Sequence, residues 1–556
     1  MRCASLYTVA VMACSGPSHP VAPPSPKAAP DAAPITPAVD AEPAAPAALP
    51  IGASCKPGNP CGPDRTCGPM PGGYCMSFCG AAGGPCDGAC VPTWRAGEVC
   101  LARCGDDNNC RTNEGYVCDP VWKACTLPGM TAMAPRTCPA PANPARDPAF
   151  GAVSQLSSAA SPGLYQLEPA AALADDGTLA ALFVARGKLV EGNALGLARV
   201  GPGPKVGADL PFATARATNF DPWMARDAKG TLYAVWLAFD RRDDQQISLA
   251  TSRDRGATWS AATAVQDPGD CKGAPDCLDK PMIAIGPDPA KRGAEIVYVM
   301  YAADGLRVRA SRDGGATFGP PRTALAGIYG NAAVGTDGRL HLVTLDGGPR
   351  GAYGDASHKV EYAVSSDGGA TFTRPSVASN LEEKLPFFFS NPSIAVDDRR
   401  GFVYIVYTRG GRDGLWDLVL ATAKLKDAAG RLVEPKSWTR VRLGDDPPCA
   451  THMVPNVALD PTTGDVHVAW YDSRGGGRFA HAACAAGGGA CKQAGRINDA
   501  PFAALSTERH GPRWIGEYES LLVDDKRRLL HAVWSQPVDE NGAVRARIFH
   551  AVAKLR

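Results

Sequence analysis

What this sequence lacks already narrows its function. It has no excess of charge of one sign: 57 basic and 56 acidic residues leave a formal net charge of +1. That removes the electrostatic case for nucleic acid or for an anionic membrane surface. Beyond the first few residues no apolar run approaches the roughly 18 needed for a membrane-spanning helix. Helix signals are nearly absent throughout. No His-x-x-x-His pair or Ser/His/Asp constellation stands out, and neither a metal nor a cofactor is expected. What is abundant is turn and cross-link chemistry, with 61 glycines, 50 prolines and 20 cysteines in 556 residues. So many cysteines point to an oxidising compartment. The length calls for two or more domains.

After Met1-Arg2 a short apolar run ends in Val11-Met12-Ala13-Cys14. This resembles a bacterial lipobox. The resemblance implies cleavage before Cys14 and its acylation, and Ser15 implies sorting to the outer membrane or cell surface. An ordinary signal peptide and a misplaced start codon are the plainer alternatives for residues 1–14. Residues 15–50 are largely Ala and Pro, which favour extended conformers and build no core, so they read as a disordered linker. Any membrane contact is then through the lipid alone.

Residues 51–138 form the next unit. Twelve of its cysteines, from Cys55 to Cys125, are spaced by Gly- and Pro-rich segments. Such a stretch cannot bury enough apolar surface by itself, so six disulfides are expected, with connectivity left open. Zinc is the alternative, through Cys75-x3-Cys79, Cys86-x3-Cys90 and Cys100-x3-Cys104, but export and the absence of histidine there disfavour it. The module reads as a spacer or protein-contact domain. Farther along, Cys271/Cys277 and Cys484/Cys491 are close enough to staple loops, and parity leaves Cys138 to meet Cys449.

From residue 149 onward the sequence repeats. Seven hairpin units recur, each a short strand, an Asp/Gly turn and a β-branched or aromatic return strand. Examples are Asp221-Pro222 leading to Gly230-Thr231-Leu232-Tyr233, and Asn391-Pro392-Ser393-Ile394-Ala395-Val396-Asp397. Between them lie three copies of a second motif. The first comprises Ser252, Asp254, Gly256, Thr258 and Trp259; the second Ser311, Asp313, Gly315, Thr317 and Phe318; the third Ser365, Asp367, Gly369, Thr371 and Phe372. This S-x-D-x-G-x-T-aromatic pattern resembles the Asp box of sialidase-like β-propellers. It is a turn motif: the carboxylate accepts from turn amides, the glycine permits positive φ, and the aromatic packs between sheets. The resemblance implies an all-β propeller over residues 149–556, with the boxes structural and remote from the substrate face.

Units of about 58 residues suit four-stranded blades. Seven blades are favoured, with six, the number in catalytic sialidases, as the alternative. The last unit runs out after Arg545–Ala553, so Phe150–Leu156 is expected to supply its fourth strand and close the ring.

The resemblance also tells where function would lie. In sialidases an arginine clamp, a Tyr nucleophile with its Glu, and an acid/base Asp sit at the entries to the innermost strands. Those entries here are Glu168, Asp221, Lys280, Tyr329, Asn391, Val454 and Tyr518. None is arginine, and Glu168 stands near the expected clamp position. Arg409 and Arg474 follow second strands and are candidate ligand contacts. Gly516-Glu517-Tyr518-Glu519-Ser520-Leu521 resembles the nucleophile segment, which makes Tyr518 and Glu519 the catalytic candidates. His452 reads as a loop residue, and a calcium site at Asp240, Asp243 and Asp244 as a solvated charge run.

Two functions follow. The favoured one is an exported, monomeric lipoprotein whose propeller binds a glycan or an extracellular protein without catalysis. The alternative is a divergent exo-sialidase or other glycoside hydrolase working through the Tyr518 region.

Overall fold

The structure is a computed structural model that describes residues 49–556 apart from internal stretches. The longest of these are 131–144, 158–164, 202–209, 347–358, 381–390, 444–450 and 503–514. Cys14, nearly all of the linker, Arg474 and the Cys138/Cys449 pair lie outside the described residues. The described chain is nearly all β. Its helical segments are two single 3₁₀ turns, Asp107–Asn109 and Thr112–Glu114, and no described helix is long and apolar enough to cross a membrane.

The cysteine-rich module is three tandem copies of one four-cysteine unit. The disulfides are Cys55–Cys67 and Cys61–Cys75, then Cys79–Cys90 and Cys86–Cys100, then Cys104–Cys118 and Cys110–Cys125. Within each set the first cysteine meets the third and the second meets the fourth. All twelve thiols are consumed, which corrects the zinc alternative. Closing loops of this size stabilises by about 3 kcal/mol each in the chain-entropy picture. Strands β1 (Thr66–Gly68), β2 (Tyr74–Phe78), β3 (Ala89–Thr93) and β4 (Gly97–Leu101) form one sheet in the order β1-β2-β4-β3. A hairpin, β5 (Val117–Asp119) and β6 (Ala124–Thr126), follows. The core of the module is small, built on Tyr74, Val91, Val99, Leu101 and Tyr116.

After β7 (Ser154–Gln155), four-stranded antiparallel units succeed one another along the chain. The first is β8 (Tyr165–Leu173), β9 (Leu179–Arg186), β10 (Ala194–Val200) and β11 (Leu210–Phe212). The second is β12 (Thr218–Arg226), β13 (Leu232–Phe239), β14 (Gln245–Ser252) and β15 (Thr263–Ala264). Next come β16 (Asp279–Pro287), β17 (Glu295–Ala303), β18 (Gly305–Ser311) and β19 (Arg322–Leu325). They are followed by β20 (Tyr329–Val334), β21 (Leu340–Asp346), β22 (Lys359–Ser365) and β23 (Ser376–Val377). Then follow β24 (Ser393–Asp397), β25 (Phe402–Gly410), β26 (Trp416–Lys424) and β27 (Thr439–Leu443). The sixth group is β28 (His452–Leu459), β29 (Val466–Asp472), β30 (Arg478–Cys484) and β31 (Gly495–Arg496). The last strands are β32 (Ser520–Asp524), β33 (Leu529–Glu540) and β34 (Ala543–Lys554).

The first strand of each unit packs on the first strand of the next, and β32 packs on β8. This is propeller architecture, with apolar clusters wedged between neighbouring sheets. The second strands carry the largest core side chains, among them Trp236, Trp470 and Trp534.

Residues just ahead of the first four-stranded unit join the last sheet. Residue Gln155 of β7 is opposite Phe549 of β34, and Ser154 is opposite His550. Gly151 N donates to Val552 O at 2.8 Å and Leu156 N to Ile548 O at 2.8 Å. Contact with the propeller begins slightly ahead of residue 149, where Arg146 reaches Asp499 at 2.8 Å and Asp147 reaches His481 at 2.8 Å. This strap, residues 146–157, passes over Gly495, where a Cβ would come within 2.6 Å of Asp147.

The three Asp boxes are alike. Ser252 Oγ donates to Asp254 Oδ1 at 2.8 Å, Thr258 N to the same oxygen at 2.9 Å, and Gly256 N to Ser252 Oγ at 2.8 Å. The boxes at 311–318 and 365–372 repeat these bonds. Trp259, Phe318 and Phe372 each pack in the cluster shared with the preceding sheet.

A fourth turn of the same length carries a different staple. Cys484 and Cys491 occupy the places of the box serine and aromatic and are disulfide-bonded. Gly487 and Gly488 have φ of 79° and 71°, as Gly314 and Gly315 have 72° and 86°. Here a covalent link joins the two ends of the turn.

The box turns and the hairpin turns share one end of the propeller. Arg255 of a box pairs with Asp176 of the β8–β9 turn at 2.5 Å, while β8 begins at the opposite end. Arginines latch neighbouring turns around this end. Arg400 donates to Thr462 O at 2.7 Å, Arg528 to both oxygens of Asp460 at 2.6 Å, and Arg527 to Asp175 O at 3.2 Å.

Candidate functional site

At the other end the innermost strands begin in an unusual way. Glu168, Asp221, Lys280 and Val454 have φ of 56°, 50°, 44° and 54°. Each is followed by proline: Pro169, Pro222, Pro281 and Pro455. At each of the four sites the pairing register shifts, from Leu167 to Ala170, Phe220 to Trp223, Asp279 to Met282 and Met453 to Asn456. These are β-bulges. Proline has no N–H for the ladder and is tolerated where a bulge removes the need. Positive φ is uncommon outside glycine, and more so for a β-branched Val, at a cost of order 1–3 kcal/mol per residue. The bulge turns the entry side chain away from the regular alternation of the strand. Gly516 is needed beside one of them, since a Cβ there would lie 2.5 Å from Glu168 Cγ.

The bulges bring charged groups together. Lys280 Nζ lies 2.7 Å from Asp221 Oδ1 and 2.8 Å from Glu517 Oε2. Its ammonium is 5.1 Å from the centre of the Tyr518 ring and 5.8 Å from that of Tyr329, within cation–π range. The Tyr518 ring packs on Trp223 at 5.2 Å. Asn391 Nδ2 donates to Glu517 O at 3.1 Å. All of Glu168, Asp221, Lys280, Tyr329, Asn391, Glu517 and Tyr518 are buried.

Burial by itself would lower the Lys280 pKa. The carboxylates of Asp221, Glu517 and Glu168 outweigh it and hold the ammonium well above its ordinary value. Burial, reinforced by Glu168, Asp221, Glu517 and Glu519, pushes Tyr518 well above the usual phenol value. Burial likewise raises Glu519 well above the carboxylate range, outweighing the hydrogen bonds from Tyr471 and Ser535 N that favour its charged form.

The catalytic candidates stand apart in their bonding. Glu519 accepts from Tyr471 Oη and from Ser535 N at 3.0 Å, and its backbone carbonyl accepts from Asn456. Among the described residues the Tyr518 hydroxyl has no hydrogen-bond partner.

The remaining candidates are placed as follows. Arg409 lies 3.4 Å from Asp417, on a carboxylate it shares with Arg442. Val454 is buried in the central cluster. His452 is buried, with its ring 5.9 Å from that of Trp470. Asp240 and Asp244 pair with Arg216, and Asp243 with Arg241 at 2.6 Å.

Glu517, Trp223 and Tyr471 were not singled out by sequence reasoning. Glu517 had a signal, its place between Gly516 and Tyr518. Tyr471 had none, because it reaches Glu519 from the second strand of the neighbouring unit.

No protein-family model matches this chain, and no curated protein matches it. Solved structures similar to it are sialidases and related glycoside-hydrolase propellers at low identity. The NanB sialidase from Streptococcus pneumoniae is 11% identical with a TM-score of 0.43, over 58% of this chain and 67% of that one. The intramolecular trans-sialidase from Ruminococcus gnavus is 11% identical with a TM-score of 0.40, over 56% and 91%. The α-L-arabinanase from Penicillium chrysogenum is 13% identical with a TM-score of 0.36, over 73% and 98%. Likenesses at this level carry no argument about activity.

Proposed function

We propose that this chain is an exported lipoprotein whose seven-bladed, sialidase-like propeller binds a glycan or an extracellular protein without catalysis. Seven blades are reached by counting β7 as the fourth strand of the last sheet, so that its pairing with β34 closes the ring. The lipobox-like Val11-Met12-Ala13-Cys14 supports the anchor, and the proline-rich linker with its disulfide module supports display away from a membrane.

The observation that carries the non-catalytic reading is the bonding of Tyr518 and Glu519. A tyrosine nucleophile needs a base on its hydroxyl. Here Glu519 is engaged by Tyr471, and the Tyr518 hydroxyl meets no partner among the described residues. The strand entries also carry no arginine, and the ammonium of Lys280 is already held by carboxylates.

The test is an assay of the purified soluble protein on fluorogenic sialosides and other glycosides, beside a glycan array. Binding without hydrolysis is expected. Turnover abolished by Tyr518→Phe would overturn the reading in favour of a divergent glycoside hydrolase.

A further inference from the structure

Two pairs of buried histidines lie under one segment of chain. His467 of β29 and His481 of β30 stack with ring centres 5.3 Å apart, and His467 Nδ1 is 3.1 Å from His481 Nε2. His531 of β33 and His550 of β34 repeat this arrangement one sheet later, again at 5.3 Å and 3.1 Å. All four side chains are buried. The strap, residues 146–157, crosses both pairs. Its Asp147 Oδ2 lies 2.8 Å from His481 Nδ1, and its Ser154 stands opposite His550 in the ladder. Phe150 packs in the cluster of Trp534 and meets the His481 ring edge-on at 5.2 Å, while Leu156 packs in the cluster of Val533. Val533 and Trp534 are successive on β33 and point to opposite faces, so the strap covers both sides of the last sheet.

The bonding fixes where each proton sits. A carboxylate only accepts, so His481 donates from Nδ1 to Asp147. Neutral His481 then accepts at Nε2 from His467 Nδ1, which leaves His467 Nε2 as a bare base. That nitrogen is buried without a hydrogen-bond partner among the described residues, and so is His531 Nε2. A proton taken up at either place is a buried charge. The charged groups facing the first pair are Asp147, Asp460 of the β28–β29 turn and Arg528 of the β32–β33 turn. Facing the second are Asp524 and Arg527. Their mixed signs do not offset burial, which holds His467 and His531 down to about 4 and His550 to about 3. A proton on His481 would strengthen its bond to Asp147. It would also occupy Nε2 and break the bond from His467.

We propose that residues 146–157 are an acid-released latch: protonation of the two histidine pairs frees the strap from the last sheet and bares the edge of β34, while the rest of the propeller stays folded. With the strap away both rims are wetted, and the rings return toward their ordinary 6.5. The released form therefore takes up protons first. Docking is strongest above about pH 6.5 and weakens as pH falls toward 4. Burial would raise Asp147, but the bonds from His481 and Ala149 N outweigh it and hold the carboxyl below its ordinary value, so its contribution is lost in the same direction at lower pH. Few backbone bonds hold the strap, among them Gly151 N to Val552 O and Leu156 N to Ile548 O, and segments so held open locally before a domain unfolds.

The experiment is hydrogen exchange of the full chain, read by mass spectrometry from about pH 7.5 to about pH 4.5 and expressed as protection relative to the free-peptide rate at each pH. Protection over residues 146–157 should fall about tenfold or more between pH 7 and pH 5, while strands β21 and β25 keep theirs. His467→Gln with His550→Gln should flatten the fall, and His550→Gln alone should reduce it. A flat wild-type profile overturns the inference. So does a fall shared equally by β21 and β25, which is unfolding of the whole propeller, or a fall that persists unchanged in a folded variant. The wild-type contrast between strap and core strands decides the matter even where a variant does not fold.

Discussion

Lys280 of β16 donates to Asp221 of β12 across 2.7 Å, joining the entries of two neighbouring innermost strands. The same ammonium reaches Glu517, ahead of β32, so one side chain ties the second and third sheets to the last. Removing one member of a buried pair leaves the other charged and unpaired, at about 3–5 kcal/mol. Lys280→Met should therefore lower unfolding free energy by about that amount in urea titration. Lys280→Met with Asp221→Leu should recover part of the loss. An unchanged midpoint in the single variant would mean that the bridge contributes nothing.

Acid should weaken the propeller through its buried histidines. His467 and His531 are pushed down to about 4, His550 to about 3 and His341 to about 4, in each case first by burial. These values lie below the ordinary 6.5, so the unfolded chain takes up protons first. The stability they contribute is complete above pH 6.5 and drains away as pH falls toward 4. Melting temperature should decline across that window. His531→Gln with His550→Gln should flatten the decline, since these rings bond each other, Nδ1 to Nε2, at 3.1 Å.

The Asp boxes add a second, lower acid step. Asp254, Asp313 and Asp367 are lowered to about 2; hydrogen bonds from Thr258 and Thr317 lead for the first two, and for Asp367 those from Thr371, Ser365 and turn amides outweigh burial. Their contribution is present above the ordinary carboxylate range and disappears as pH falls through about 2. Asp254→Ala removes several turn bonds, each worth about 1 kcal/mol, and should lower the melting temperature at pH 7 more than at pH 2.

The disulfide turn at Cys484–Cys491 should be replaceable by a box. Substituting residues 484–491 with the residues of 311–318 keeps the length and the paired positive-φ positions. The grafted protein should hold the wild-type melting temperature within a few degrees in reductant, while Cys484→Ser with Cys491→Ser should not.

Gly495 should be required for docking of the strap. A side chain there meets Asp147 at 2.6 Å, so Gly495→Val should raise hydrogen exchange over residues 146–157 and lower the melting temperature. Wild-type exchange in the variant would show that the strap docks independently of Gly495.

How far could the sequence be read? The Asp boxes were legible because their bonds are local: the Asp254 carboxylate accepts from Ser252 and Thr258, two and four positions away. The strand order and the docking of residues 154–155 on β34 were legible from repetition and an incomplete final unit. The two local disulfides, Cys271–Cys277 and Cys484–Cys491, followed from spacing. The threefold pattern of the module did not, because similar loop lengths suit many pairings. The Cys484–Cys491 turn went unrecognised as a box because it shares only length and glycines with the others.

Alternation, turn residues and cysteine count act through neighbours a few positions apart, and they suffice to specify a β-rich, repeat-built, cross-linked chain. Tertiary structure alone decided that Lys280, Asp221 and Glu517 meet, that Glu519 answers to Tyr471 rather than Tyr518, and that the strand entries are bulged. These relations join residues tens to hundreds of positions apart, and burial sets the charge of each. No local pattern encodes them.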